Sequence, residues 1–248
     1  MSQLISESKG KLELRTAIDV GCGLGHFASL LTGLGLQVTA VDGRNENVRE
    51  AQRRYPHIRF EQCDAEDSAL LLFGRFDLVF CFGLLYHLEN PLRAIRHLYS
   101  MTEKLLLVEG VIFPGTEPVM ALIDEEKHED QGLQHIAFYP TESCLAKMMY
   151  RSGFPWVYGF TVRLDHTEYR DTSYSRRTRT MLAASCTPLS SPMLKLFPEP
   201  ASEIRPWDPQ SGLGTGPLRK LERFRQKTLA EKMKAVRKVI TSGDSEKS

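Results

Sequence analysis

Short apolar runs alternate with helical segments over the first 112 residues, and this alternation constrains the fold more than any other feature of the sequence. Near-continuous runs rich in Val, Ile, Leu and Phe suit strands that are covered on both faces. Strands that alternate with helices predict a parallel sheet with right-handed crossovers, and therefore an α/β fold. The predicted strands are 15–21, 37–42, 58–64, 76–83 and 104–112, and the predicted helices are 25–32, 46–54, 68–73 and 91–101.

The pattern changes after residue 112. Residues 113–140 form a longer connection that contains prolines and an acidic run, which predicts an insertion near the edge of the sheet. A helix is predicted over 141–151, followed by two strands over 156–163 and 178–185 that suit a terminal antiparallel pair. Residues 1–186 are therefore predicted to form one domain, with the insertion close to its active site.

The C-terminal part of the chain differs in composition. Residues 187–217 contain seven prolines, which predicts a linker or an extended segment wrapped around the domain. Residues 218–240 have an approximate apolar stripe at helical spacing, and the tail 241–248 has the composition of a disordered segment. The domain line predicted from the sequence is thus 1–186, then the linker 187–217, then a basic amphipathic helix with its tail over 218–248.

Charge is distributed unevenly between these parts. The segment 218–240 carries nine basic and two acidic residues, a net charge of +7, whereas the whole chain has a net charge of only +1. Such a helix could hold RNA through phosphate contacts, lie on an anionic membrane, or dock its apolar stripe on the acidic domain. The interpretation favoured by the sequence is docking, with RNA as a possible partner.

Composition indicates an ordinary globular protein. Hydrophobic residues make up 42% of the chain and charged residues 25%, so a buried core can form. The five cysteines are odd in number and include no CxxC pair, which favours reduced, buried thiols in a cytoplasmic protein. No signal peptide is recognisable at the N-terminus, and no apolar run approaches the roughly 20 residues of a membrane helix, so an integral membrane segment is not expected. The sequence leaves the oligomeric state open.

Glycines dominate the turn after the first predicted strand. Gly21, Gly23 and Gly25 follow the apolar run, and a helix begins directly after them. Glycines allow a tight turn and the close approach of a ligand to the backbone, and the start of a helix supplies free N–H groups. This arrangement, together with the intervening Cys22, predicts a cofactor-binding turn.

The carboxylate of Asp19 distinguishes between two classes of cofactor. A dinucleotide site prefers the spacing G-x-G-x-x-G, because a pyrophosphate sits at the helix N-terminus. Here the spacing is G-x-G-x-G, and Asp19 lies two residues before the first glycine. A carboxylate at that place repels phosphate but suits an ammonium group. S-adenosyl-L-methionine carries an ammonium and a sulfonium and has no phosphate, so it is the predicted cofactor.

Further acidic residues end the next strands, at the edge where open α/β sheets bind ligands. Asp42 is predicted to accept hydrogen bonds from both ribose hydroxyls. Asp64 and Ala65 could recognise an adenine, through the carboxylate and a backbone N–H respectively, although Glu66 or Asp67 could also serve there, and any of the three could instead cap the following short helix. Phe82, at the end of the fourth strand, is predicted to lie beside the methyl donor.

Four motifs in this order resemble the class I, Rossmann-like methyltransferases, over about residues 15–185. The resemblance implies S-adenosyl-L-methionine as cofactor and methyl transfer as the reaction. It also implies a doubly wound, mostly parallel seven-stranded sheet of order 3-2-1-4-5-7-6 with strand 7 antiparallel. The motifs are Asp19-Val-Gly-Cys-Gly-Leu-Gly25, Ala40-Val-Asp42, Cys63-Asp-Ala65 and Phe76-Asp-Leu-Val-Phe-Cys-Phe-Gly83.

The residues after the fourth strand are the candidates for catalysis. His87 is a candidate general base, because an imidazole can remove a proton from a hydroxyl near neutral pH. Tyr86 and Glu109 are candidate substrate contacts. The pair Tyr86-His87 followed by Pro91 resembles two subgroups, one modifying small molecules and one acting on the wobble uridine of tRNA, and the pair does not choose between them.

No metal site is predicted. Glu125, His128, Glu129 and His135 are conceivable ligands in the insertion, but their spacing matches no known tight set, and a solvated surface is the simpler interpretation.

The function predicted from the sequence is methyl transfer to a small-molecule acceptor, at oxygen. Two alternatives stay open: an RNA methyltransferase that uses 218–240, and a methyltransferase-like binding protein without turnover. A nicotinamide oxidoreductase is opposed by the glycine spacing and by Asp19.

Overall fold

The structure is a computed structural model that describes residues 5, 12–125, 133, 135–162, 167–169 and 178–199. The chain divides into two compact units, Met1–Pro200 and Ala201–Ser248. All described residues belong to the first unit. The predicted basic helix 218–240, its tail and the second half of the predicted linker lie outside the described residues.

An eight-stranded sheet forms the centre of the first unit, in the order β3-β2-β1-β4-β5-β9-β8-β10. Neighbouring strands from β3 to β5 are parallel, whereas β9 runs antiparallel to both β5 and β8. A separate antiparallel pair, β6 with β7, is built from the insertion. The strands are β1 (Thr16–Val20), β2 (Gln37–Asp42), β3 (Arg59–Gln62), β4 (Phe76–Phe82), β5 (Thr102–Val111), β6 (Met120–Asp124), β7 (Ile136–Pro140), β8 (Trp156–Phe160), β9 (Arg179–Ser185) and β10 (Leu194–Leu196).

Within the described residues, four α-helices connect these strands: α1 (His26–Gly33), α2 (Asn45–Arg54), α3 (Pro91–Met101) and α4 (Glu142–Ser152). Pro91 occupies the first turn of α3, where its missing N–H costs no intrahelical hydrogen bond. Thr141 caps α4 by accepting from the N–H of Cys144, and Gly153 ends that helix in the left-handed conformation. Short 3-10 helices cover Ser68–Phe73, Leu85–His87 and Thr167–Tyr169.

The core lies on both faces of the sheet. Successive residues of a strand point to opposite faces, so Ala17 packs in one apolar cluster and Ile18 in the other. The cluster on the Ala17 face includes Leu31 of α1 and Val48 of α2, and the cluster on the Ile18 face includes Leu98 of α3. This two-sided burial explains the near-continuous apolar strands of the sequence.

The predicted fold class is confirmed. In family terms β9 is strand 7 and β8 is strand 6, so the order 3-2-1-4-5-7-6 with an antiparallel strand 7 is present. One strand is additional: β10 lies within the stretch predicted as a linker or wrap, and it pairs antiparallel with β8 at the sheet edge. No helix among the described residues is long and apolar enough to cross a bilayer.

Candidate active site

The glycine turn lies between the carboxyl end of β1 and the start of α1, beside β2. The N–H groups of Gly21 and Cys22 both donate to the carbonyl of Val41, at 2.9 and 3.0 Å. Gly21, Gly23 and Gly25 all have positive φ, at 79°, 51° and 83°. A Cβ at Gly25 would lie 2.8 Å from Cζ of Phe60, so this position admits only glycine without rearrangement.

Asp42 at the end of β2 is joined directly to this turn. One carboxylate oxygen accepts from the N–H of Gly23 at 2.8 Å, and the other accepts from the N–H of Arg44 at 2.9 Å and from the Asn47 amide at 3.1 Å. A carboxylate has about four acceptor positions, so Asp42 can receive further donors while it holds the turn. The two sequence motifs therefore meet in space.

Asp19 is a buried carboxyl group with an oxygen that lacks a partner. The residue is 1% exposed, and its Oδ2 has no hydrogen bond among the described residues. Burial raises the pKa of Asp19 from 3.8 to about 7, with Asp42 adding to the rise, although the backbone N–H of Ala28 opposes it. A buried acceptor without a partner is costly, so this oxygen fits a ligand that brings a donor or a positive charge.

Three neighbouring acidic residues follow β3, and each of them makes different contacts. The carboxylate of Asp67 accepts from the N–H of Ala69 and caps the 3-10 helix Ser68–Phe73. Glu66 accepts from the backbone N–H groups of Glu89 and Asn90, at 3.0 and 2.7 Å. Asp64 remains exposed, with one oxygen accepting from the N–H of Glu66 at 2.9 Å. Asp64 is therefore the one of the three whose carboxylate faces solvent without capping a helix.

Ala65 and Phe82 line the same edge of the sheet. Ala65 is buried, and its carbonyl lies 3.1 Å from Nδ1 of His97 on α3. Phe82 stacks on Phe80 with ring centroids 3.9 Å apart and also contacts Phe27 of α1. Cys22, within the turn, is buried, and burial raises the pKa of its thiol, which is consistent with a packing role for this side chain.

Tyr86 and His87 lie on the 3-10 helix that follows β4. Their rings are in contact, with centroids 4.1 Å apart, and Tyr139 of β7 meets Tyr86 edge to face. Nδ1 of His87 lies 2.8 Å from one carboxylate oxygen of Glu125, directly after β6. The insertion therefore contributes to this site through the hairpin β6–β7.

Glu109 is buried at the carboxyl end of β5, where it pairs with Arg179 at the start of β9. The guanidinium donates from Nε to Oε1 at 2.7 Å and from Nη2 to Oε2 at 3.1 Å, and the hydroxyl of Tyr169 also donates to Glu109. Arg179 lies over the Tyr86 ring at 5.6 Å from its centroid. The predicted candidates Tyr86 and Glu109 are thus linked through Arg179.

Sequence reasoning missed Arg179 and Tyr169 altogether, and it considered Glu125 only as a metal ligand. These residues are 38 to 93 positions away from their partners, so no local spacing reveals the contacts. The acidic character of the insertion was the one available signal for Glu125. Of the other conceivable metal ligands, His128 and Glu129 lie outside the described residues. Within the described part of the chain, no group of three or more His, Cys, Asp or Glu side chains is arranged to hold a metal ion.

Comparison with known proteins shows which proteins the chain resembles. Residues 18–104 match the family model described as a methyltransferase domain. The chain is 30% identical over 184 residues to the tRNA U34 carboxymethyltransferase of Pseudomonas syringae pv. tomato, an alignment that covers 66% of the chain and 53% of the relative. It is 33% identical over 84 residues to the ubiquinone biosynthesis O-methyltransferase of Albidiferax ferrireducens, covering 32% of the chain and 33% of that relative. The chain therefore spans about half the length, or less, of these curated relatives.

Solved structures share the fold. The N-terminal domain of EvdMO1, solved in the presence of S-adenosylhomocysteine and D-fucose, superposes with a TM-score of 0.60 at 18% identity, covering 74% of this chain and 80% of that one. Magnesium protoporphyrin IX methyltransferase from Synechocystis, with bound S-adenosylhomocysteine, gives a TM-score of 0.52 at 20% identity, covering 75% and 80%. The strand order and these superpositions show that the chain has the class I, Rossmann-like methyltransferase fold, and residues 18–104 match the methyltransferase-domain model.

Proposed function

We propose that this chain binds S-adenosyl-L-methionine and transfers its methyl group to an oxygen atom of a small-molecule acceptor. The observation that carries the proposal is the buried Oδ2 of Asp19, which has no partner among the described residues and lies beside a glycine turn. A phosphate would be repelled there, whereas the ammonium group of this cofactor supplies both a donor and a positive charge. The solved structures of the same fold that were obtained with S-adenosylhomocysteine support the same ligand class.

In this proposal, different residues of the site bind different parts of the cofactor. Gly21, Gly23 and Gly25 let the methionine part approach the backbone, and Cys22 packs behind the turn. The carboxylate of Asp42 accepts from the ribose hydroxyls. The adenine lies against Asp64 and Ala65, and Phe82 lies beside the sulfur. The bound cofactor supplies an activated methyl group, so the protein has to align the acceptor and exclude water.

The acceptor pocket in this proposal is formed by His87, Tyr86 and Glu109. His87 removes the proton of the acceptor hydroxyl, since a neutral imidazole is a suitable base at neutral pH. Tyr86 and Glu109 shape the acceptor pocket, Glu109 through its pair with Arg179. A named relative that methylates oxygen in ubiquinone biosynthesis supports a hydroxyl acceptor of small size.

Calorimetry with three ligands tests the cofactor. S-adenosylhomocysteine and S-adenosylmethionine should bind the full chain, while NADH should not. Asp42→Asn should weaken binding of the first two at least tenfold, because the charge and one of the two acceptor oxygens facing the ribose are lost. Tight binding of NADH with no binding of the sulfonium compound would contradict the proposal. Binding without turnover on any hydroxyl acceptor would instead favour a methyltransferase-like binding protein.

A second candidate function is methylation or a related modification of tRNA. It is favoured by the curated relatives, several of which are tRNA U34 carboxymethyltransferases, and by the net charge of +7 on residues 218–240. If tRNA is the acceptor, a chain lacking residues 218–248 should bind tRNA more weakly and with a smaller dependence on salt. Equal binding of both chains at all salt concentrations would remove this segment from RNA recognition.

A further inference from the structure

We propose that Glu125 is a positioning residue for His87: its carboxylate fixes the orientation and tautomer of the imidazole and stabilises the positive charge that the ring acquires during catalysis. This inference rests on the proposed role of His87 as general base. It assigns part of the catalytic machinery to the insertion, because Glu125 follows β6 directly.

The geometry of the pair is that of a held imidazole. Nδ1 of His87 lies 2.8 Å from Oε1 and 3.1 Å from Oε2 of Glu125, so both carboxylate oxygens are within hydrogen-bond distance. The His87 side chain is 13% exposed and that of Glu125 only 4%. Water therefore screens this contact little, and a charge on either group is felt strongly by the other.

The contact decides which nitrogen can act as a base. A carboxylate only accepts hydrogen bonds, so the hydrogen of a neutral His87 must be on Nδ1, which leaves the lone pair on Nε2. Within the part of the chain that the structure describes, no hydrogen bond involves Nε2. Nε2 is thus available to receive a proton from an acceptor hydroxyl, and the same carboxylate then faces an imidazolium.

Among the residues that the structure describes, the other charged and titratable groups near the ring do not cancel this effect. Tyr86 packs on the imidazole and Tyr139 on Tyr86, and burial raises the pKa of the Tyr86 phenol, so that ring stays neutral. Arg179 lies on the Tyr86 ring and would oppose a positive imidazole, but its charge is matched by the bidentate contact to Glu109. Glu125 is therefore the charge in direct contact with His87.

Both partners are held by their own backbone. The N–H of His87 donates to the carbonyl of Leu84 at 2.9 Å, within the 3-10 helix after β4. The N–H of Glu125 donates to the carbonyl of His135 at 2.9 Å, which continues the hairpin beyond β6 and β7. The pair joins these two elements, so the position of the hairpin sets the position of the base.

The test compares three variants of the full chain. Glu125→Gln keeps the shape and removes the charge, Glu125→Ala removes the contact, and Asp124→Asn changes the adjacent, exposed acid of β6 as a matched control. Kinetics should show kcat reduced about tenfold in Glu125→Gln and about a hundredfold in Glu125→Ala, within the range of a general base, with KM for the cofactor unchanged. Asp124→Asn should match the wild type.

Nitrogen NMR of the imidazole provides a readout that needs no turnover. The wild type should show hydrogen on Nδ1 of His87, and Glu125→Ala should shift the ring towards hydrogen on Nε2, whereas a purely structural role would leave the tautomer unchanged. An unchanged tautomer, or wild-type kcat in Glu125→Ala alongside an inactive His87→Ala, would overturn the role of Glu125. If His87→Ala itself keeps wild-type kcat, the proposed base is wrong while the tautomer measurement still decides whether the pair exists.

Discussion

The guanidinium of Arg179 and the carboxylate of Glu109 form a bidentate ion pair that joins β9 to β5 at the carboxyl end of the sheet. The two hydrogen bonds measure 2.7 and 3.1 Å, and the two side chains are 21% and 6% exposed. A pair of this kind has fixed geometry, because the planar guanidinium donates two parallel hydrogen bonds to the two carboxylate oxygens. It raises the pKa of Arg179 further above its already high value, so this arginine stays charged.

Breaking this pair from the Glu109 side should destabilise the fold. Glu109→Ala leaves a largely buried guanidinium without its anion and should lower the free energy of unfolding by about 3 kcal/mol. The double variant with Arg179→Met should recover part of that loss, because no unpaired charge remains. Urea denaturation measures both. The matched control is Arg53→Gln, which should change little, because its pair with Glu50 is similarly short at 2.8 Å but more exposed to solvent. Equal effects at both sites would contradict the argument.

Cofactor affinity should depend on pH through Asp19. Burial raises the pKa of this carboxyl group to about 7, so the free protein carries it protonated at pH 5 and ionised at pH 8. An ammonium group binds the ionised form, and affinity for S-adenosylhomocysteine should therefore rise with pH up to about 7 and level off above it. The rise is at most tenfold per pH unit. Asp19→Asn should bind weakly and without this dependence in calorimetry from pH 5 to 8; a wild-type curve that is flat would argue against the contact.

Stability of the ligand-free protein should show the opposite trend. The pKa of Asp19 is higher in the folded chain than its ordinary value of 3.8, so the folded state binds more protons between about pH 4 and 7. The free energy of unfolding therefore falls as pH rises through that window, by a contribution on the order of 4 kcal/mol that is complete above pH 7. Asp19→Asn should remove this contribution, whereas Asp124→Asn should keep it. Urea midpoints at pH 5 and pH 8 measure the difference for each variant.

The sheet could be predicted from sequence because its strands are buried on both faces and separated by helices. The predicted strand 37–42 coincides with β2, and 178–185 differs from β9 by one residue. β10 was not recognised as a strand, because three residues among prolines carry no periodic signal. Its partner β8 is also distant in sequence, so local spacing does not reveal the pairing. The strands β6 and β7 were not predicted individually, and the sequence indicated only an insertion there. Met120–Asp124 is short, and a long connection separates it from β7.

The candidate site, too, contains residues that could be predicted from the sequence and others that could not. Asp19, Asp42 and the glycines could be found because each lies at a fixed place relative to a strand end, where the fold brings the residues together. The partners of His87 and Glu109 could not, because Glu125 and Arg179 come from elements 38 and 70 residues away. Sequence spacing describes the local turn, whereas these pairs depend on how the insertion and the last strands return to the sheet.

Two glycines of the turn, Gly23 and Gly25, should respond differently to alanine. Gly25→Ala combines a left-handed φ with a Cβ 2.8 Å from Phe60, and should cost about 3 kcal/mol of stability. Gly23 also has a positive φ, but a Cβ there meets nothing within 4 Å, so Gly23→Ala should cost only about 1 kcal/mol. Its new methyl group should instead hinder the ligand and weaken cofactor binding at least tenfold. Gly33→Ala, in ordinary helical backbone with open space, is the control and should be neutral or slightly stabilising.

Results for these variants would separate two reasons for a glycine. If Gly23→Ala binds cofactor normally, the ligand does not approach the turn there, and the proposed placement of the methionine part is wrong. If Gly25→Ala is as stable as the wild type, the side chain of Phe60 can move aside, and the turn is less constrained than its geometry indicates.

Glu66 connects the proposed adenine site to the segment that carries His87. Its two carboxylate oxygens accept from the N–H groups of Glu89 and Asn90, which lie two and three residues after the base and immediately before α3. Glu66→Ala removes both acceptors, so the segment loses its fixed position, and a displacement of the base by a fraction of an ångström should lower kcat about tenfold. KM for the cofactor should change less than kcat, because Asp64 and Ala65 remain. Glu89→Gln, which keeps the backbone N–H and alters only an exposed side chain, is the control. Steady-state kinetics of the two variants decide the point: equal kcat values would mean that the contacts of Glu66 do not position His87.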